Sequence, residues 1–96
     1  MILHTVSESP FNHFSLQHCL ERLSDDDILL LINDAVIIGQ STTPYQQALL
    51  ALHKQGRLFL LEADLKSRDI DTNVGEIIDY KKFVELAVQC KSQIAW

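Results

Sequence analysis

The sequence predicts an α/β fold with three layers, α/β/α, around a mostly parallel central sheet. The first observation is the run Asp27 to Asp34, in which five consecutive apolar residues, Ile28 to Ile32, lie between acids. That is the length of a strand, and it lacks the apolar–polar alternation of a strand with one wet face. A central strand covered on both sides needs helices on both sides. The second observation is that strand-like runs alternate with stretches of helical periodicity along the chain. The third is a pair of cap-plus-proline signatures, Ser9-Pro10 and Thr43-Pro44, placed where helices should begin.

In chain order, Ile2 to Val6 reads as a first strand ending in Ser7-Glu8-Ser9-Pro10. Ser9 is the expected N-cap of a helix that starts at Pro10 and runs to about Leu23, with Leu16, Cys19, Leu20 and Leu23 on one face and Phe11 and Phe14 near its start. Asp25-Asp26-Asp27 reads as a solvated turn, and Asn33-Asp34 closes the central strand as a turn or a polar ligand contact. Ala35 to Ile38 is a short helix or extended segment whose apolar character beside a loop marks a partner surface. A second helix carries Tyr45, Ala48, Leu49 and Leu52 and stops at Gly56. Arg57 to Glu62 is the next strand, Ala63 to Arg68 a helical turn, Glu76 to Asp79 a brief strand. The last helix opens at Asp79 or Tyr80 and turns Phe83, Leu86, Ala87 and Cys90 inward. The closing Gln93-Ile94-Ala95-Trp96 is apolar enough that it should dock, onto its own sheet or another subunit.

The chain's 96 residues, 47% of them apolar, form one domain over 1–96, small for three layers, so a self-association or partner surface is expected. A net charge of -5 with only eight scattered basic residues argues against direct binding of nucleic acid or an anionic membrane. Neither a signal-peptide core nor an apolar run of membrane-spanning length is visible, and a cytoplasmic location is expected.

The chemistry-bearing residues are few. Gly39, Gly56 and Gly75 fit no dinucleotide or phosphate loop, and the four histidines and two cysteines show no zinc spacing, so neither a cofactor nor a metal is expected. Ser7 and Ser9 at the first helix could hold an anion, although an ordinary cap accounts for them. His4 reads as a core or edge histidine. Cys19 is the one candidate nucleophile, with His18 beside it and Arg22 three residues on, yet its place in the apolar stripe favours a buried thiol.

Across essentially the whole chain, Ile2-Leu3-His4-Thr5-Val6, Ser9-Pro10-Phe11, Leu29-Leu30-Leu31 to Asp34, Glu62 to Arg68, Ile78-Asp79-Tyr80 with Phe83-Val84, and Gln93-Ile94-Ala95-Trp96 resemble the TusB/DsrH family of sulfur-relay subunits. The resemblance implies a DsrEFH-like fold and a heterohexamer with TusC/DsrF-like and TusD/DsrE-like subunits. It also implies a TusA-like sulfur donor and a TusE/DsrC-like acceptor, in support of 2-thiouridine formation at the tRNA wobble position. The principal persulfide cysteine would sit on the TusD-like subunit, leaving this chain accessory. Cys19 matches a cysteine position in the first helix of DsrH-type members, which leaves the Tus versus Dsr choice open and keeps as an alternative a DsrH-like persulfide carrier acting through Cys19 in sulfur oxidation.

The interface residues expected on this reading are Trp96, Ile94, Val36, Ile37, Ile38 and Tyr80. Alone, the chain is expected to dimerise through the surface meant for its partners. A different class of function, a small homo-oligomeric ligand-binding domain, would use Asn33, Asp34 and the Ser7/Ser9 turn.

Overall fold

Five strands form one sheet: β1 (Ile2–Val6), β2 (Ile28–Leu31), β3 (Leu58–Leu61), β4 (Glu76–Ile78) and β5 (Ser92–Ala95). The structure, a computed structural model, describes residues 1–96. The order is β4-β3-β2-β1-β5 and every pairing is parallel, so β2 is the middle strand. The helices are α1 (Ser15–Arg22), α2 (Gln46–Lys54), α3 (Glu62–Ser67) and α4 (Tyr80–Gln89), and a 3₁₀ helix spans Asn33–Gly39.

This strand order dictates the layers. From β1 through β4 the chain steps in one direction, and successive right-handed crossovers in one direction leave their helices on one face. The return from β4 to β5 runs back past three strands, so its helix, α4, covers the opposite face. Packing agrees. Leu29 and Leu31 of β2 join Leu16 and Cys19 of α1, Leu49 and Leu52 of α2 and Leu65 of α3, whereas Ile28 and Leu30 join Phe59, Ile78 and Leu86 of α4. The first cluster holds 14 buried residues and the second 7, so α4 covers its face thinly. The unbroken apolar run of β2 is therefore split by pleat alternation between two cores.

Local boundaries follow side-chain chemistry where it is decisive. Asp79 caps α4, its Oδ1 accepting the Lys82 N–H at 2.9 Å. Thr43 Oγ1 accepts the Tyr45 N–H at 3.2 Å, one residue before α2. The Ser9-Pro10 signature behaves differently. Ser9 Oγ accepts the Phe11 N–H, but its carbonyl closes a turn with the N–H groups of Asn12 and His13, and α1 begins only at Ser15. Phe11 and Phe14 are consequently exposed at 58% and 70% and lie outside the core. A cap and proline suit an isolated turn as well as a helix start, because both need the same local bonds.

One further expectation is corrected, and another is resolved in favour of the chain's own sheet. The 3₁₀ helix after β2 folds back against the core and buries Ala35, Val36 and Ile38, so Val36 and Ile38 offer no surface; Ile37 is half-buried. The closing segment is a regular strand: β5 pairs with β1 from Ile2↔Ser92 to Thr5↔Ala95, and the Trp96 N–H continues the ladder to the Thr5 carbonyl at 2.9 Å.

Gly75 and Gly56 both have positive φ, 85° and 69°, but only Gly75 is crowded: a Cβ there would collide with Leu60 Cδ1 and press on Leu58, whereas Gly56 faces open space. Gly56→Ala should cost about 1 kcal/mol and Gly75→Ala about 2–3 kcal/mol of unfolding free energy. Urea denaturation of the two variants checks this, and equal losses would contradict the close packing of the loop before β4.

Candidate functional site

A buried polar chain crosses the sheet at the β2–β1–β5 edge. His4 in β1 is 2% exposed and Asp27, immediately before β2, is equally buried. His4 Nε2 lies 2.9 Å from Asp27 Oδ2, and the Trp96 indole Nε1–H donates to His4 Nδ1 at 3.0 Å. The indole ring is a donor only, so Nδ1 must be the acceptor and the ring proton resides on Nε2, pointing at the carboxylate. Trp96 also stacks on His4, centroids 6.1 Å apart, and the Arg22 guanidinium sits 5.7 Å from the indole centroid on the α1 side.

Asp27 is held by more than His4. Its Oδ1 accepts the Ile2 N–H at 3.0 Å and its Oδ2 the Ser24 N–H at 3.0 Å. Burial by itself pushes the carboxyl up, but the bonds from Ser24, His4 and Ile2 outweigh it and hold Asp27 below the usual carboxylate range. Asp25 and Asp26 are exposed as expected of a solvated turn; Asp27 is not, and this is the residue that composition reading misplaces. An unpaired buried histidine in an apolar strand demands a polar partner, which was the available signal.

Cys19 is completely buried, and its thiol is pushed up to about 12, by burial first and then by the Asp27 carboxylate. At neutral pH fewer than roughly one molecule in 10⁴ carries its thiolate. Cys90 is also buried, and burial pushes its thiol up too. The two belong to different cores, with the sheet between them. Neither side chain of His18 and Arg22 faces the Cys19 sulfur as a polar partner: Arg22 Nη1 donates to the His18 carbonyl, and His18 is exposed beside Phe14.

Asn33 and Asp34 are exposed at the carboxyl end of β2, where the structure adds Asp64 and Arg68 to them. The Asn33 N–H donates to Asp64 Oδ2 at 2.7 Å, and Arg68 Nη2 donates to Asp34 Oδ1 at 2.9 Å. These groups satisfy one another, and Ser7 and Ser9 head a turn instead of a helix terminus. A shallow groove of about 240 Å³ lies between α1 and α2 over Leu20, Leu23 and Leu52, but Arg57 at its rim is already bonded to the carbonyls of Asp27 and Ser24. No group of three or more His, Cys, Asp or Glu side chains is placed to hold a metal ion, and no helix is long and apolar enough to cross a membrane.

What the surface does offer is apolar. Tyr80, Val84 and Val88 follow one another at i, i+4 and i+8 along α4 and are 60%, 62% and 80% exposed. On the opposite side of the sheet, Ile94 is 38% exposed and Trp96 is half-buried against His4. The expected interface residues thus fall into two patches, with Tyr80 in one and Ile94 and Trp96 in the other.

Residues 8–93 match the family model of the DsrH like protein. Protein TusB of Pectobacterium parmentieri is 35% identical over 99 residues, spanning 99% of this chain and 100% of the relative. Protein TusB of Yersinia pestis (strain Pestoides F) is 32% identical over 98 residues, with the same coverage.

Asp27 contributes stability that is fully present above the ordinary carboxylate value, near pH 4, and is lost as pH falls through its lower folded value. Asp27→Asn should cost about 2–4 kcal/mol at neutral pH, since an amide turns a donor toward groups that themselves donate. Its unfolding free energy should also fall less steeply below pH 4 than that of the parent; parallel acid profiles would refute the assignment. Alkylation of Cys19 in the folded protein should be at least about 10³ slower than in urea.

Proposed function

The chain belongs to the DsrH-like family, in which TusB proteins are its full-length relatives, and from that membership we propose that it is an accessory subunit of a sulfur-relay complex serving 2-thiouridine formation at the tRNA wobble position. The observation that carries the accessory role is the contrast between its thiols and its surface. Both cysteines are buried with raised proton affinity, so neither is set to attack a persulfide, whereas Tyr80, Val84 and Val88 stand exposed with nothing in the chain to cover them. The persulfide cysteine then belongs to a TusD/DsrE-like subunit, and this chain supplies packing surface in a heterohexamer with that subunit and a TusC/DsrF-like one. A TusA-like donor and a TusE/DsrC-like acceptor act on the assembled complex in the cytoplasm.

The thin cover on the α4 face supports this reading. A related α/β subunit laid against α4 would bury the Tyr80 row and finish a core that one helix only half closes. The Ile94 and Trp96 patch remains as a second contact. A persulfide carried by Cys19 would require α1 to move away from the sheet, since its sulfur has no exposed surface.

Intact mass of every subunit, after co-expression and incubation with cysteine and a desulfurase relay, tests the division of labour. A partner should gain sulfur, and Cys19→Ser in this chain should leave that gain unchanged; sulfur on this chain that disappears with Cys19→Ser would overturn the accessory role. Val84→Asp or Val88→Asp should weaken assembly by about 2 kcal/mol or more, roughly thirtyfold, in native mass spectrometry while leaving the isolated fold stable. Unchanged assembly in both variants would remove α4 from the interface.

A further inference from the structure

We propose that His4 is a proton-responsive latch: with one ring proton it holds the Trp96 indole onto the sheet, and on gaining a second proton it releases it. The inference stands on geometry alone and is independent of the sulfur-relay reading. His4 Nδ1 is the acceptor for the indole N–H at 3.0 Å, and Nε2 is committed to Asp27 at 2.9 Å. A second proton can therefore only go to Nδ1, where it would meet the indole N–H head on. The indole nitrogen's lone pair is part of the ring's π system and cannot accept it, so the two donors repel and the hydrogen bond is replaced by a clash.

Surroundings sharpen the choice. The charged and titratable groups around His4 are Asp27 at the head of β2, Cys19 and Arg22 on α1, Arg57 ahead of β3 through the Asp27 carbonyl, and the Met1 ammonium on Asp26 at 3.3 Å. β5 adds no titratable side chain. Asp27 attracts the second proton, since its carboxylate already faces the ring; the docked indole, with Arg22 over its outer face, resists it. Undocking removes the resistance and leaves the attraction. Release of Trp96 is thus coupled to the uptake of one proton by His4.

Beyond the indole, the segment is held by its backbone ladder to β1 alone. Every residue of β5 is exposed and the strand pairs only with β1, so Trp96 is its one half-buried anchor. Losing that anchor leaves the end of an edge strand, and the Ile94 patch with it, held by backbone hydrogen bonds alone.

The test uses the full chain, in which Trp96 is the sole tryptophan, followed by nitrogen-edited NMR from pH 8 to pH 5. At pH 8 the ring nitrogens of His4 should show the Nε2–H tautomer, and the indole N–H should be protected from exchange. On acidification the indole resonance should move and lose protection in a one-proton step that coincides with the second protonation of His4. In His4→Asn, whose side-chain oxygen accepts a hydrogen bond but gains no proton, the step should vanish. If that variant does not fold, the parent decides. An Nδ1–H tautomer at pH 8, a His4 that stays singly protonated down to pH 5, or an indole that stays protected after His4 has gained its second proton would each overturn the latch.

Discussion

The buried Asp27 carboxylate is the interaction on which the assembly of this sheet depends. A lone charge at that depth would cost several kcal/mol, and it is tolerated because three donors from separate parts of the chain converge on it. The Ile2 and Ser24 N–H groups and His4 Nε2 tie the start of β1, the turn after α1 and the middle of β1 to the head of β2. The guanidinium of Arg57 bonds the carbonyls of Asp27 and Ser24, bringing in the approach to β3. Through His4 and Trp96 the same carboxylate reaches β5. One side chain registers β1 and β2 directly and β5 at one remove, while the carbonyl of the same residue holds the approach to β3; hydrophobic packing, which has no direction, could not do that by itself.

That dependence explains which parts of the fold were legible before the structure. β2 and β3 carry unbroken apolar runs and α4 a helical apolar periodicity, and they appear where these patterns put them because burial is encoded locally in spacing. β5 carries no such pattern. All its residues are exposed, and it exists because β1 offers an open edge and Trp96 finds His4, 92 positions away. The Asp27–His4 pair is likewise non-local, separated by 23 residues, and reading three adjacent acids as one solvated turn hid the buried member. At Ala35 to Ile38 the apolar character was plain but its direction was not: the 3₁₀ turn aims Val36 and Ile38 at the core, a geometric outcome that composition does not encode.

The cysteines show the same division. The helical stripe placed Cys19 inward, and the structure leaves its sulfur without exposure and its thiol far from ionised at neutral pH. The nearby charge is Asp27, whose sign opposes a thiolate; His18 and Arg22, the sequence neighbours whose charge would favour one, are turned elsewhere. Burial keeps this thiol protonated, and the anion that organises the sheet adds to the effect.

The two faces of the sheet differ in a way that bears on self-sufficiency. Toward α1, α2 and α3 the core is filled, and its polar groups are all paired within the chain. Toward α4 a single helix covers seven buried residues and turns a second apolar row outward. Such a row costs free energy in water for as long as it is exposed, and nothing in the packing of α4 requires it: Phe83, Leu86 and Ala87 already serve the inner face. An outer row with no role in the monomer is what a chain carries when its second core is completed by a neighbour. On the proposed reading the domain is a finished layer with a partnered one, in which a carboxylate fixes the first and association closes the second.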